Sequence, residues 1–301
     1  MSAAAESAAT PRPRWREPFA PIARIAALAR RSPTFAAGAA ILLAMALAAV
    51  AAPWLAPYDP VASLGGRPLQ APSAAHPFGT DGNGMDVLSR VIHGTRYAFA
   101  VAIPTVVVSL CIGVPLGLAA GYRGGLLDEV MMRVFDALRV FPSIILALAV
   151  VAATGPSLAS VVMCVGVLDS PIFARLVRAE VLALRSSNFV ESAISAGNPH
   201  RRVMFVHILP NTLQGTTAQA AVRAAWAVRI SATLSFLGIG IQPPTPEWGA
   251  MIRQGAEFMV TGQWWVGLFP GGALILLVLG LNLMGDGLQD LLDPRRGGGR
   301  R

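Results

Sequence analysis

The sequence contains no lysine, and all 24 cationic side chains in its 301 residues are arginines. A chain without lysine has no phosphate-binding loop of the GxxxxGK[ST] type, and it offers no amine for Schiff-base chemistry. If ATP drives this protein, a separate chain must therefore bind the nucleotide.

Reactive and metal-ligating side chains are also scarce. Cys111 and Cys164 both lie inside apolar runs, where a cysteine behaves as a small apolar side chain. The four histidines lack the spacing of metal ligands; they are His76, His93, His200 and His207. Because no nucleophile–base pair occurs at a useful spacing, we expect no catalytic residue and no metal site in this chain.

Charged residues make up only 13% of the chain, whereas 54% of it is hydrophobic. A soluble domain of this size carries about 25% charged residues. The deficit indicates a protein of the lipid bilayer. The net charge of +8 does not indicate a nucleic-acid partner, because the arginines flank apolar stretches instead of forming a stripe on one face, as membrane topology requires.

Long charge-free stretches predict six membrane-spanning helices in an all-α protein. A hydrocarbon core requires about 20 residues per span. Three stretches exceed this length without interruption, and they are residues 32–58, 97–122 and 258–285. Residues 140–168 are divided by Gly155-Pro156 into a helical hairpin, whose outer ends extend into partly charged sequence. The remaining span, residues 211–238, carries Arg223 and Arg229.

The distribution of arginine predicts the orientation. Eighteen arginines lie on one side of these spans and four on the other, and the side rich in arginine is cytoplasmic. We expect a cytoplasmic tail over residues 1–31, a retained first span over 32–56, an extracytoplasmic loop over 57–95 with a short amphipathic helix from Met85 to Ile92, and a core domain over 96–301. Both termini are then cytoplasmic, with a C-terminal tail at 286–301.

A polar segment, residues 186–210, interrupts the apolar pattern between spans four and five. Ser186, Ser187 or Asn188 can cap a helix there, and Glu191 suits its first turn. Gly197-Asn198-Pro199 then ends this helix, and a second one begins near His200. The apolar residues of such a unit are buried either in the groove of a partner protein or against the unit's own helix ends.

Residues 190–211 read VESAISAGNPHRRVMFVHILPN. Their pattern E-x-A-x3-G-x9-H-I-L-P resembles the EAA loop of ABC importer permeases, which is normally E-A-A-x3-G-x9-I-x-L-P. The matching residues are Glu191, Ala193, Gly197, Leu209 and Pro210. Ser192 replaces the first alanine, His207 stands where many members have isoleucine, and Asn198-Pro199 replaces the more usual Ala-Ser.

Four further stretches extend the resemblance over nearly the whole chain. They are HPFGTDGNGMDVLSRVIHGTR, GYRGGLLDEVMMRVFDALRVFPSIILAL, LSFLGIGIQPPTPEWGAMI and LFPGGALILLVLGLNLMGDGLQDLLDPR. Together with the EAA-like loop, they make the chain similar to the dipeptide, oligopeptide, nickel and opine branch of these permeases, and to its second, C-type subunit.

The resemblance implies a fold, a set of partners and a contact surface. The fold is that of a type I ABC importer permease with a cytoplasmic EAA coupling helix. The partners are a homologous second permease, two cytoplasmic ATPases that hold ATP and Mg²⁺, and an extracytoplasmic solute-binding protein, whereas this chain holds no cofactor. The residues implied in ATPase coupling are Glu191, Ala193, Ala196, Gly197, Asn198, Pro199, Leu209 and Pro210.

Arg223 lies 13 positions after Pro210, about 20 Å along a helix and near the middle of a membrane. Three interpretations of Arg223 are open. It faces the substrate path and attracts a carboxylate, it pairs with Asp169, or the predicted boundary of the span is misplaced. Arg229 and Trp226 are the other candidates for the path. Pro171 is expected to kink or end span four near the inner interface, which would leave Asp169 at the cytoplasmic boundary.

The sequence thus predicts a permease subunit of an ATP-driven importer for peptides or similar small solutes in a bacterial inner membrane. An ion-coupled secondary transporter, with Arg223 and Asp169 as its coupling groups, is the alternative. Such a carrier would not need the capped cytoplasmic segment, and the sequence lacks a clear inverted repeat. A membrane-embedded enzyme is the weakest hypothesis.

Overall fold

The computed structural model of the protein describes residues 32–63 and 68–292. The expected N-terminal tail at 1–31, Arg67 and residues 293–301 of the expected C-terminal tail lie outside this part of the chain. The described part is helical apart from turns and one β-bridge, between Thr80 and Asp86.

The α-helices are α1 (Pro33–Leu55), α2 (Val87–Arg123), α3 (Gly125–Val140), α4 (Ser143–Thr154), α5 (Leu158–Leu184), α6 (Asn188–Ser195), α7 (His200–Arg202), α8 (Leu209–Phe236), α9 (Trp248–Met259) and α10 (Trp265–Leu292). A π-helical segment, Val203–Ile208, joins α7 to α8. We use "outer end" for the end of the bundle that carries the turn at residues 155–157, and "inner end" for the end that carries residues 185–210.

Side chains fix the starts of the first two helices. The Ser32 hydroxyl accepts a hydrogen bond from the Phe35 N–H at 3.3 Å, and the Asp86 carboxylate accepts one from the Ser89 N–H at 2.8 Å. The short amphipathic helix expected from Met85 to Ile92 is not a separate element. No turn follows it, and α2 continues through Pro104 and Pro115 for 37 residues to Arg123.

The chain bends by 88° between α3 and α4, at Phe141 and Pro142. A residue before proline is pushed out of the helical region, and Phe141 is extended, with ψ 138°. α4 and α5 then form the predicted hairpin, with Gly155 in its turn. α4 alone has only 12 residues, so the third span extends before Val140, as expected, only if the bent pair of α3 and α4 crosses as one unit.

Four of the described helices have the length and hydropathy of a membrane span, and they are α1, α2, α5 and α10. α3 and α4 add a fifth candidate if the bent pair crosses as one unit. α8 has 28 residues, which is also long enough, but it carries Arg223 and Arg229. Residues 286–292 of the expected C-terminal tail are the last two turns of α10.

Small residues bring α2 and α5 into close contact. A Cβ atom on Gly113 would lie 2.5 Å from the carbonyl oxygen of Ser170, and one on Gly117 would collide with the carbonyl oxygen of Ala174. Small residues at such crossings allow helix backbones to approach inside a membrane, where lipid gives no hydrophobic advantage to helix contact. This contact holds α5 firmly in the bundle, and α5 carries Asp169.

Candidate functional site

The EAA-like segment begins with α6. This helix ends in a turn that is held by hydrogen bonds between backbone groups. Gly197 has a φ of +79°. The Gly197 N–H donates to the Ile194 carbonyl at 2.9 Å and the Asn198 N–H donates to the Ala193 carbonyl at 3.3 Å, which is the hydrogen-bond pair of a Schellman motif. Gly197 therefore ends the helix, as the sequence predicted. The Asn198 side-chain amide also donates a hydrogen bond to the Ala193 carbonyl, at 2.9 Å.

The start of α6 differs in detail from the expectation. Ser187 is the residue at the cap position, but its side chain does not cap the helix. The Ser187 hydroxyl donates instead to the Leu184 carbonyl at 2.5 Å, which ties α6 to the end of α5. The segment is thus anchored on the helix that precedes it.

One side of the segment packs against the bundle. Val190, Val203 and Ile208 are fully buried. They form one apolar cluster with residues of α2 and α5, namely Leu118, Val177 and Val181, and the predicted coupling residue Leu209 packs at its edge. Part of the unit's apolar surface is therefore covered by its own chain.

Several large apolar side chains of the segment remain exposed. Four of its large side chains keep 43–56% of their surface accessible, and they are Phe189, Ile194, Phe205 and Val206. We call these four residues the inner apolar patch. Most of the residues implied in ATPase coupling share this exposure, namely Glu191, Ala196, Gly197, Pro199 and Pro210, whereas Ala193 is buried and Asn198 is half-buried.

The second helix of the segment begins at His200, as expected, and continues directly into the following span. α7 passes directly into the π-helical segment, which passes into α8, so the backbone is helical from His200 to Phe236. Pro210 has no N–H to donate to a carbonyl four residues earlier, and the wider π-turn precedes it. A hydrogen bond of 2.7 Å joins His200 Nδ1 and the Tyr122 hydroxyl, linking α7 to the inner end of α2.

Arg223 and Asp169 form an ion pair in the middle of the bundle. Arg223 Nη1 donates to Asp169 Oδ1 at 3.1 Å, and the two side chains are 18% and 2% exposed. The guanidinium carbon also lies 5.6 Å from the ring centroid of Trp226, within the range of a cation–π interaction. Of the three alternatives for Arg223, this geometry supports the pair with Asp169.

The expectation that Pro171 ends span four and leaves Asp169 at a boundary is wrong. α5 continues through Pro171 for 13 more residues to Leu184, so the proline does not end the helix. Asp169 is the twelfth of the 27 residues of α5, and Arg223 is the fifteenth of the 28 residues of α8. Asp169 therefore lies at mid-helix and not at a boundary. Its charge is tolerated there because the arginine opposite it compensates that charge.

One band of α8 leads from the inner end to the outer end. Its members recur every three or four residues and are all exposed or half-buried; they are Asn211, Gly215, Gln219, Arg223, Trp226, Arg229, Thr233 and Phe236. Arg223 and Arg229 lie about 120° apart, near opposite edges of this band. Arg229 is exposed and lines an outer depression of about 330 Å³ together with Thr233 and Phe236.

Sequence reasoning missed a cavity at the inner end. A cavity of about 750 Å³ lies between α5, α8 and α10, and its acidic lining residues are Glu180, Asp286 and Asp290. Asn211 and Gln219 of the α8 band line it too. Asp286 and Asp290 lie four residues apart on α10, but no pattern in the sequence brings Glu180 of α5 to them, because α5 and α10 are distant in the chain.

Comparison with known proteins agrees with this architecture. Residues 113–298 match the family described as "Binding-protein-dependent transport system inner membrane component". Residues 27–72 match the family described as "N-terminal TM domain of oligopeptide transport permease C". The two matches together take in both the first span and the EAA-like segment.

Several similar proteins cover most of the chain. The dipeptide transport system permease protein DppC of Alkalihalophilus pseudofirmus is 40% identical over 93% of this chain and 90% of its own. The glutathione transport system permease protein GsiD of Pectobacterium atrosepticum is 43% identical over 88% of each chain. The probable D,D-dipeptide transport system permease protein DdpC of Escherichia coli K12 is 38% identical over 92% of each chain.

A solved structure shares the fold. The inward-facing MetNI methionine ABC transporter matches with a TM-score of 0.55 at 20% sequence identity, over 68% of this chain and 96% of its own. The family resemblance of the sequence is thereby confirmed, and the ion-coupled carrier gains no support from these relatives.

Proposed function

The chain belongs to the family of inner-membrane components of binding-protein-dependent transport systems, and we propose that it forms half of a translocation path for peptides or similar small solutes. As a permease subunit it supplies part of the translocation path and the segment that transmits movement to it. Another chain binds and hydrolyses ATP. The names of its relatives supply the class of cargo, since they include dipeptide, D,D-dipeptide and glutathione systems.

The observation that carries the proposal is the two-sided packing of the EAA-like segment. Val190, Val203 and Ile208 fix the segment to α2 and α5. The inner apolar patch of the same segment stays exposed. Exposed apolar side chains on helices of this kind suit a groove in a partner protein. The partner is a cytoplasmic ATPase that holds ATP and Mg²⁺, and residues 186–210 are its docking surface.

Movement of the docked ATPase would reach the spans by direct contact. The segment is wedged against Leu118 of α2 and Val181 of α5, and it continues without a break into α8. Packed interiors pass a displacement on because they cannot compress. ATP therefore acts by favouring one of two arrangements of the bundle over the other, and the segment transmits that preference to α8.

The complete transporter holds two permeases, two ATPases and a solute-binding protein. This chain contributes six spans to it: α1, α2, the bent pair of α3 and α4, α5, α8 and α10. Both termini and residues 186–210 lie in the cytoplasm, in keeping with the arginine-rich side of the sequence. The band of α8 that carries Arg223, Trp226 and Arg229 faces the path.

The proposal is tested with two matched glycine variants. Gly197 and Gly155 both have a positive φ, and no atom lies within 4 Å of a Cβ built on either of them. Leucine therefore strains the backbone at both sites, and its Cβ atom meets no atom of the described residues within 4 Å. Gly197 lies in the docking surface, and Gly155 lies in the hairpin turn at the outer end.

The complex is reconstituted with its ATPases, second permease and binding protein, and ATP hydrolysis stimulated by the loaded binding protein is measured. Gly197→Leu is expected to abolish the stimulation while the chain stays in the membrane, and Gly155→Leu is expected to preserve it. Full stimulation in Gly197→Leu would overturn the assignment of the segment.

A further inference from the structure

The Arg223 guanidinium uses little of its hydrogen-bonding capacity inside the chain. An arginine has five N–H donors in a fork that matches a carboxylate. A single bond to Asp169, from Nη1, joins it to the described residues, and Nε is buried without a partner among them. Asp169 is in the same state, since its Oδ2 oxygen is buried and accepts no bond from the described residues. Arginine–carboxylate pairs are frequently bidentate, whereas this one has a single hydrogen bond.

The exposed part of Arg223 points to an aqueous or protein surface. Its side chain is 18% exposed, whereas that of Asp169 is 2% exposed. A guanidinium facing hydrocarbon in the middle of a membrane is costly, so such groups face a bundle interior or a water-filled path. The exposed and half-buried band of α8 runs from the inner cavity to the outer depression, and Arg223 lies halfway along it.

The local charge also favours an anion. Arg139, in the last turn of α3, is a second cation whose field reaches Asp169, more weakly than that of Arg223. Two cations and one carboxylate therefore share this region. The Trp226 ring lies against the Arg223 guanidinium and limits where it can move. An arginine held in this way can exchange one carboxylate partner for another without losing its charge compensation.

We propose that Arg223 receives the carboxylate of the cargo during translocation, with Asp169 as the counter-ion that holds the arginine when the path is empty. The inference rests on the proposed function, because peptides and glutathione carry a terminal carboxylate. Arg223 is then a specificity-determining residue for anionic ends of small peptides, and Asp169 is a positioning residue.

Two double variants preserve the pairing while they remove the proposed site. Asp169→Asn with Arg223→Gln replaces the ion pair by a neutral hydrogen-bonded pair. Asp169→Arg with Arg223→Asp restores an ion pair but places the cation at the buried position. Arg133→Gln is the matched control, because its side chain is 80% exposed on α3, away from α8.

The measurement is the uptake of radiolabelled Ala-Ala per ATP hydrolysed, in proteoliposomes that contain the complete transporter. Removing a hydrogen bond between charged groups is expected to lower uptake about tenfold, because such a bond contributes strongly to binding. Both double variants are expected to assemble, to keep the ATP hydrolysis stimulated by the binding protein, and to lose about tenfold in uptake per ATP. Arg133→Gln is expected to match the wild type.

Wild-type uptake per ATP in either double variant would show that the pair is structural only and would overturn the inference. Failure of both variants to assemble would overturn it too, because a replaceable pairing is what the inference requires. A wild-type complex that hydrolyses ATP but takes up no dipeptide would overturn the proposed cargo, and the inference with it. If the wild type shows normal uptake and the double variants are unaffected, only the role of Arg223 is overturned and the proposed function is unchanged.

Discussion

Gly117 lies at the point where α2 and α5 come closest. A Cβ atom there would collide with the backbone carbonyl of Ala174, which cannot move aside as a flexible side chain can. We expect Gly117→Leu to lower the thermal midpoint of the detergent-purified chain strongly, because overpacking costs about 1–3 kcal/mol or more. Gly271→Leu on α10 is the control, since no atom lies within 4 Å of its Cβ position. An unchanged midpoint in Gly117→Leu would contradict the α2–α5 packing.

Glu247 caps α9 from a buried position. Its carboxylate accepts a hydrogen bond from the Ala250 N–H at 2.9 Å, and its residue is 7% exposed. Burial raises the pKa of Glu247 above its ordinary value, although hydrogen bonds from Ala250, Gly249 and Ser235 oppose the rise. A carboxyl group with a raised pKa stabilises the fold fully at pH values below its unfolded pKa, and this contribution is lost as the pH rises through the folded pKa.

The thermal midpoint of the wild type is therefore expected to carry a component that falls as the pH rises from about 4.3, the ordinary glutamate value. Glu247→Gln keeps an oxygen for the Ala250 N–H and cannot ionise, so this component is expected to vanish from its melting curves. Parallel pH dependence of the two proteins would show that the burial of Glu247 does not govern its titration.

At the scale of elements, the inner apolar patch stays uncovered by the residues that the structure describes. Phe205 and Val206 are 53% and 56% exposed. Burial of an apolar side chain stabilises by about 1.5–3 kcal/mol, so we expect Phe205→Ser with Val206→Ser to weaken association with the ATPase by about tenfold or more. Leu126→Ser on α3, where the leucine is 76% exposed, is the matched control.

Association is measured by co-purification of the ATPase with the permease at a series of ATPase concentrations. The double serine variant is expected to insert in the membrane normally, because its apolar cluster on the other side of the segment is intact. Equal binding by the double variant and the wild type would mean that the ATPase docks elsewhere.

Local signals predicted the ends of several elements. The hairpin turn at Gly155 and the end of α6 at Gly197 each depend on one or two residues and their backbone conformation. The sequence did not predict the 88° bend at Phe141-Pro142 or the π-helical segment before Pro210. Prolines occur inside other helices of this chain without ending them, as Pro171 does in α5, so a proline alone does not decide between a bend and a continuous helix.

The same limit applied to the candidate site. Arg223 stood out because an ionisable residue within an apolar span is rare, and its pairing with Asp169 was one of three alternatives. The inner cavity with Glu180, Asp286 and Asp290 was not predictable, because its lining depends on how α5, α8 and α10 pack. The two sides of the EAA-like segment were likewise indistinguishable before Val190, Val203 and Ile208 were seen to be buried.

For the whole molecule, the arrangement requires the EAA-like segment and the hairpin turn to lie on opposite sides of the membrane. Cys111 and Cys164 are replaced first, and single cysteines are then introduced at Ala196 and Gly155. A membrane-impermeant thiol reagent added outside intact cells is expected to label Gly155→Cys and to leave Ala196→Cys unlabelled until the cells are opened. Labelling of Ala196→Cys in intact cells would reverse the proposed orientation.

Crosslinking tests the coupling of the bundle to its ATPase most directly. Ala196→Cys in the cysteine-free chain, within the assembled transporter, is treated with a short thiol crosslinker in the presence and absence of ATP. The expected product is a crosslink to a cytoplasmic ATPase whose yield changes with the nucleotide, with no such product from Gly155→Cys. Absence of any ATPase crosslink from Ala196→Cys in a complex that transports its solute would contradict the proposed role of residues 186–210.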